Sequence, residues 1–286
     1  MTSEIATAGL EIRRIAAEHV AGATKLSHEA KWPHRLEDWQ FVENLGSGFV
    51  AADSNGMIGT AMYWKHDARF ASLGMVIVSP DRQGRGIGQK LMSLVLDELE
   101  GRTVLLHATP SGMALYARLG FIAVGTVDQH QGTVTDLPIV SLAPGERLRP
   151  IGASDGTTLA QLATRASGMS RAVVLAALLE VADGIVLDRD GEAIGFALFR
   201  RFGRGYAIGP VVAPDLCRAQ ALIAHWISSR TRKFIRIDVP ATAGLTDWLE
   251  KFGLKRVDSV VAMARGTPPV GEPNLRVFAI INQALG

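Results

Sequence analysis

Apolar positions along the chain fall into two periods. Leu73-Gly74-Met75-Val76-Ile77-Val78 is a nearly unbroken apolar run that stops at Ser79-Pro80-Asp81-Arg82. A strand covered on both faces reads this way, because neither face needs polar residues. After Gln83-Gly84-Arg85-Gly86-Ile87-Gly88, apolar residues return at positions 87, 91, 94, 95 and 99. That spacing marks one face of a helix. Before this unit the pattern predicts an opening strand, Leu10–Ile15, a helical stretch to Leu26 and a hairpin turning at Asn55-Gly56. Asn-Gly between apolar runs is a strong hairpin signal. After it come a strand, Thr103–His107, a short helix and a strand led by Gly120.

The succession occurs twice. Ile12-Arg13-Arg14-Ile15 is matched by Leu148-Arg149-Pro150-Ile151 and Ile58-Gly59 by Ile194-Gly195, both 136 residues on. Pro80-Asp81 recurs 134 residues later as Pro214-Asp215, and Ala108-Thr109 and Gly120 recur 133 later as Ala241-Thr242 and Gly253. The anchors keep their order, so an internal duplication is expected. The second copy predicts strands at Leu148–Ile151, Tyr206–Ala213 and Phe234–Val239, a helical stretch to Leu162 and a hairpin at Asp190-Gly191. Ala143-Pro144-Gly145 interrupts the pattern, which places two domains at 1–144 and 145–286. The fold class is α/β in the α+β sense: mixed, mostly antiparallel twisted sheets flanked by helices. Arg276–Leu285 has an apolar pattern with no assigned role.

Composition narrows the function. The 286 residues include 48% apolar and 20% charged side chains, which argues against disorder. Thirty basic against 28 acidic residues leave a net charge of +2. Arg200, Arg201, Arg204, Arg230, Arg232, Lys233 and Arg236 read as solvated faces, so nucleic acid is not an expected partner. The single cysteine, Cys217, forms no internal disulfide and reads as a small buried residue. No metal site is expected. Met1–Leu10 lacks a basic stretch followed by an apolar core, and the apolar stretch Ala172–Ala182 contains Glu180 and is too short to cross a bilayer. A soluble cytoplasmic protein is expected.

The chemistry concentrates in residues 82–88. A glycine-rich turn between strand and helix exposes successive amides, and the helix start adds positive potential, so the turn suits a phosphate. Arg82 and Arg85 add charge. A nucleotide P-loop would need Gly-Lys-Ser/Thr, but Gly88 is followed by Gln89-Lys90. A dinucleotide fingerprint would need G-x-G-x-x-G, whereas the loop reads Gly84-x-Gly86-x-Gly88.

Gln83, Gly86 and Gly88 match Q/R-x-x-G-x-G/A, and the loop resembles that of the GNAT acetyltransferases. Ala114-Leu115-Tyr116-Ala117-Arg118-Leu119-Gly120-Phe121 is similar to the family's helix-to-strand segment. The resemblance is full over Leu10 to Val140 and only in outline afterwards. It implies two tandem GNAT folds, the second degenerate, each with splayed central strands. It implies acetyl-CoA as co-substrate, lying between Leu73–Val78 and Thr103–His107. Backbone groups of Val76, Ile77 and Val78 would pair with the pantetheine arm, and amides from Gln83 through Gly84, Arg85, Gly86 and Ile87 to Gly88 would hold the diphosphate. Where the family often has Asn, seven residues before the tyrosine, this chain has Thr109, whose hydroxyl reaches less far. Tyr116 would donate a proton to the departing thiolate.

The implied reaction is acetyl transfer to an amine of a small molecule or peptide, by direct attack in a ternary complex. An amine with pKa about 10.4 is free in only about one molecule in a few thousand at pH 7, so a base is expected. Glu29, His34, Asp38, His66 and His107 are candidates, with His34 and His107 foremost. An amide near Val76 is the expected oxyanion donor. Trp32, His34, Arg35 and Asp38 are the expected acceptor contacts. In the second half Cys217, Arg218, Gln220 and Leu222 stand where the loop has Gln83, Gly84, Gly86 and Gly88, and Leu249 stands for Tyr116. The second half is therefore expected to supply packing, part of an acceptor pocket or dimer contacts. The alternative function is an acetyl-CoA or metabolite sensor without turnover.

Overall fold

The computed structural model describes residues 9–134, 136–230 and 232–286. Residues 1–8, most of the stretch read for a leader, lie outside the described residues. The chain forms two compact units: Met1–Trp64 with Leu73–Glu100, and Lys65–Ser72 with Gly101–Gly286.

The first unit holds β1 (Glu11–Arg14), α1 (Val20–Glu29), α2 (Leu36–Leu45), β2 (Ser47–Asp53), β3 (Gly56–Lys65), most of β4 (Phe70–Val78) and α3 (Ile87–Glu98). β1 and β2 are antiparallel with Ile12 opposite Ala51, β2 and β3 with Val50 opposite Thr60, and β4 follows β3. The predicted Asn55-Gly56 turn joins β2 to β3. Trp39, Met62, Leu73, Leu91 and Met92 are fully buried. Leu91, with the buried Ile87, Val95 and Leu99, comes from the helical face that the sequence period marked, and Met92 widens that face.

The second unit holds β5 (Thr103–Ala108), α4 (Met113–Arg118), β6 (Ile122–Thr133), β7 (Glu146–Pro150), α5 (Gly156–Ser167), α6 (Ala172–Leu179) and β8 (Asp183–Arg189). It continues through β9 (Glu192–Phe202), β10 (Gly205–Ala213), α7 (Leu216–Ser229), β11 (Phe234–Pro240), α8 (Thr246–Lys251), β12 (Lys255–Arg265) and β13 (Arg276–Ala279). Elements β7 to β12 repeat the order of β1 to β6, helices included. Within this unit the strand order is β5-β12-β6-β11-β10-β9-β8-β7, with β13 on β10.

That order exchanges the last long strands of the two sequence halves. β12 pairs with both β5 and β6, and β6 pairs also with β11. The exchange leaves none of these edges unpaired. His130 of β6 is fully buried and its Nδ1–H donates to the Leu254 carbonyl over 3.0 Å. Ser259 Oγ of β12 donates to Asp128 Oδ1 of β6 over 2.8 Å.

Three side chains depart from the sequence reading. Cys217 is exposed in the first turn of α7, ahead of the stretch where Ala219, Leu222 and Ile223 meet the core. Arg200 and Arg236 are not solvated: Arg200 is buried over the Phe202 ring, and Arg236 pairs with Asp238 over 2.9 Å and also lies on Phe202. Ring faces accept guanidinium groups, so an arginine stem can serve as core packing.

Candidate active site

β4, the glycine-bearing turn and α3 follow one another in the predicted order, with a device upstream that the sequence did not show. Met75 in β4 has φ +52°, a left-handed conformation that costs a side-chain-bearing residue about 1–2 kcal/mol. The buried Thr60 hydroxyl donates to the Met75 carbonyl over 2.7 Å. This bond holds a kink in β4 immediately before the Val76, Ile77 and Val78 amides. The Ser79 amide then donates to the Ile58 carbonyl over 2.8 Å and ends the strand.

Past one short turn, side chains brace the loop. Arg82 Nε donates to Asp53 Oδ2 over 3.0 Å, and Gln83 Nε2 donates to the Val78 carbonyl over 3.1 Å. The Asn55 amide and then Arg82 hold the Asp53 carboxyl below its ordinary range. Gly84 and Gly86 have φ +76° and +77°, and a Cβ built on either would meet no atom within 4 Å. Glycine is thus needed for conformation, and the space beside the amides is open. Ile87 is buried and pins the start of α3, while Arg85 is exposed. The first helical bond runs from the Lys90 amide to the Gly86 carbonyl over 3.0 Å. The Ile87, Gly88 and Gln89 amides therefore have no acceptor within the helix. A diphosphate fits this cradle.

The expected acceptor contacts also meet in the first unit. His34 lies edge-on to Trp32 at 5.8 Å and to Trp39 at 6.4 Å between ring centres. Asp38 is buried in the first turn of α2, takes the Arg35 amide over 2.9 Å and pairs with the Arg35 guanidinium over 2.7 Å. Arg35 and Asp38 thus form a helix cap. Trp39 is fully buried and donates to Ser27 Oγ over 3.2 Å, so it belongs to the core. Glu29 is exposed at the end of α1.

In the second unit β5 leads into α4. The ladder of β4 with β5 is parallel and spans Phe70 with Thr103 to Ser72 with Leu105. His107 follows on β5, with Nδ1 on the Gln283 carbonyl over 2.9 Å. A carbonyl only accepts, so Nδ1 carries the proton and a neutral ring keeps its lone pair on Nε2. Burial holds the imidazole below its usual pKa, with the Arg171 charge adding to the effect and Gln283 and Asp238 opposing it. His66 is pushed down to about 3, by burial first and Arg171 second, and its Nε2 meets Ser72 Oγ over 3.0 Å. Thr109 Oγ1 meets Ser111 Oγ over 3.1 Å. Tyr116 is buried edge-on to Phe121, and burial pushes its phenol up to about 12.

The matching place in the second half is filled by the protein itself. β10 and β11 pair only from Tyr206 with Ile235 to Ile208 with Ile237. Where they part, β13 pairs with β10 at Val211–Ala213, and the Ile280 amide donates to Asp238 of β11 over 2.9 Å. The start of α7 is capped by Asp215, which accepts from the Arg218 amide over 3.0 Å and pairs with its guanidinium. Leu249, the counterpart of Tyr116, is fully buried.

Two family models match. One described as the acetyltransferase (GNAT) family spans residues 14–121, and one described as an acetyltransferase (GNAT) domain spans 159–279. The chain belongs to the GNAT acetyltransferases. As a GNAT enzyme it is 26% identical to YitH of Bacillus subtilis (strain 168), described as an uncharacterized N-acetyltransferase, over 96% of this chain and 98% of that protein. A crystal structure of a candidate acetyltransferase from Pyrococcus horikoshii has the same fold, with TM-score 0.80 and 19% identity over 100% of this chain and 99% of that one. A tandem GNAT protein from the clavulanic acid biosynthesis pathway gives TM-score 0.63 and 14% identity over 92% and 99%.

Among the described residues no group of three or more His, Cys, Asp or Glu is placed to hold a metal ion, and no helix is long and apolar enough to cross a membrane. Sequence reasoning missed Thr60, Met75 and Arg171. Only Arg171 left a trace, as the lone charge at the head of the apolar run from Ala172.

Proposed function

We propose that this GNAT enzyme moves acetyl from acetyl-CoA to an amine, with one cofactor site in its first half. The observation that carries the reading is the open cradle at Gly84 and Gly86 ahead of the unpaired amides of α3. Those amides would take the diphosphate and Val76–Val78 the pantetheine arm, with Thr109 as a further hydroxyl contact. Acetyl-CoA supplies an activated acyl group with a thiolate as leaving group. His107 Nε2 would take the proton from the attacking amine, and its depressed pKa keeps it unprotonated at neutral pH. An amide following the Met75 kink would donate to the oxyanion.

A Tyr116 phenol near 12 is a weaker acid than a thiol, whose pKa is about 8.5 in cysteine. Its contribution would be hydrogen-bond donation to the thiolate as charge develops, with full proton transfer uphill. His34, Trp32, Arg35 and Asp38 form a wall whose capping role is separable from acceptor contact. The filled slot, acidic cap and Leu249 of the second half support a non-catalytic role there. The protein is expected to work in the cytoplasm.

An acceptor-library screen with acetyl-CoA, read by free-thiol release, tests the reading. Acceptor-dependent release supports transfer. Acetyl-CoA binding with no acceptor-dependent release across a broad amine panel would favour the sensor.

A further inference from the structure

Beyond β13 the chain runs from Ile280 to Gly286, a stretch whose sequence pattern suggested no role. Hydrogen bonds fold it into a strap within the second unit. The Ile280 amide donates to the Asp238 carbonyl of β11 over 2.9 Å. Asn282 is buried, and its Oδ1 accepts from the Ala284 and Leu285 amides over 2.9 and 2.8 Å. The Gly286 amide donates to the Asn282 carbonyl over 3.0 Å. Arg171, just ahead of α6, is 5% exposed. Both of its terminal nitrogens donate to the Leu285 carbonyl over 3.1 Å, and one of them also donates to the Gly286 oxygen.

A buried guanidinium is costly unless it is hydrogen-bonded, and these main-chain oxygens answer it. Its planar fork reaches two successive residues at once, which a lysine ammonium does not reproduce. Arg171 is thus committed to the strap. Gln283 lies between the Asn282 turn and the Arg171 clamp, and its carbonyl takes the Nδ1–H of His107 over 2.9 Å. His107 and Arg171 both line a cavity of about 430 Å³, a size that suits one small molecule. A neutral imidazole can carry its proton on either nitrogen, and the bond made by one nitrogen decides the state of the other. A ring released from Gln283 would exchange between both forms, and in one of them Nε2 has no lone pair to offer.

We infer that Arg171 and Asn282 are positioning residues for His107: by holding the strap, they keep the ring in the one neutral tautomer whose Nε2 can accept a proton. The inference rests on the reading of His107 as the base. It gives the second half of the sequence a part in the chemistry, because β5 carries the base while Arg171 and the strap set its proton.

Long-range proton–nitrogen NMR of the intact chain with isotope-labelled histidine side chains tests this, and no turnover is required. Spectra are taken at about pH 8, above the ordinary histidine pKa of about 6.5, and the His107 signals are those lost in His107→Gln. In the parent, Nδ1 is expected in the protonated range and Nε2 in the unprotonated range. Arg171→Met removes the clamp while an apolar chain fills its place, and Asn282→Ala removes the acceptor of the Ala284 and Leu285 amides. Each should move both His107 signals toward intermediate positions, the mark of exchange between tautomers. Asn282→Asp keeps the acceptor oxygen and Gln283→Ala keeps the carbonyl, so both should retain the parental pattern. Asn282→Ala keeps the test decisive if the arginine variant melts early. A parent ring that is mixed or protonated on Nε2, the parental pattern in both Arg171→Met and Asn282→Ala, or an equal shift in Gln283→Ala overturns the proposal. Parental turnover in His107→Gln, with an acceptor found in the screen, would instead remove the base reading and leave the tautomer lock standing.

Discussion

Replacing Gly86 by Ala separates the cost of folding the loop from the cost of binding on it. Gly86 has φ +77°, and a Cβ there would meet nothing within 4 Å. The folded protein should therefore lose only the left-handed penalty, about 1–2 kcal/mol. Gly101 provides the matched control: its φ is +78°, and its Cβ would also meet nothing within 4 Å. The two variants should melt within a degree or two of one another, each a few degrees below the parent, since about 1 kcal/mol shifts a domain of this size by about 2–4 °C. Coenzyme A should tell them apart. A methyl group on Gly86 would occupy the open space beside the α3 amides and displace the diphosphate from at least one of them. One charge-assisted hydrogen bond is worth about 1.5–3 kcal/mol, or about 10–150-fold in Kd. Calorimetric titration of both variants with coenzyme A, alongside thermal melts, provides the comparison. Parental affinity in Gly86→Ala, or an equal loss in Gly101→Ala, would refute the cradle.

The other predictions concern the chemistry and its supports. Tyr116→Phe should lower turnover roughly 10–10³-fold with coenzyme A affinity kept; unchanged turnover in steady-state kinetics removes the role. Thr60→Val leaves the Met75 carbonyl without its buried donor, so denaturant melts should show a loss of about 1–3 kcal/mol and kcat should fall, whereas a stable, fully active variant would dismiss the kink as a device. Folding depresses the pKa of both His66 and His107, so their neutral forms are favoured and the stability is complete above the ordinary value of about 6.5. It should fall below that pH by up to about 1.4 kcal/mol per unit for each residue, with the His66 contribution continuing toward about 3; identical urea midpoints at pH 7 and pH 5 would contradict this. Titration with coenzyme A should saturate at one equivalent per chain, and two equivalents would show that β13 yields the second slot.

Sequence reading succeeded where the deciding information is contiguous. The run Leu73–Val78, the glycines at 84, 86 and 88 and the helical period after 87 lie within one short segment. Glycine's tolerance of positive φ and the helical period are local properties, so strand, loop and helix could be placed before any tertiary contact was known. The order of elements in the second half followed in the same way, from anchors such as Pro214-Asp215 and Gly253. Cys217 was misplaced because helix phase near a first turn does not say whether the core has yet been reached. Arg200 and Arg236 were misplaced because charge is visible in a sequence and the ring beneath it is not.

By itself the sequence determined the repeated order of elements, the glycine-rich turn ahead of α3 and the loss of its glycines in the second copy. Tertiary structure alone decided which strands exchange partners, that β13 fills the parting of β10 and β11, and that Arg171 enters a cavity beside His107. The first group depends on dihedral preference and periodicity, which act over a few residues. The second depends on which open edges and apolar surfaces remain to be covered once the chain has closed, and their partners lie up to more than a hundred residues away.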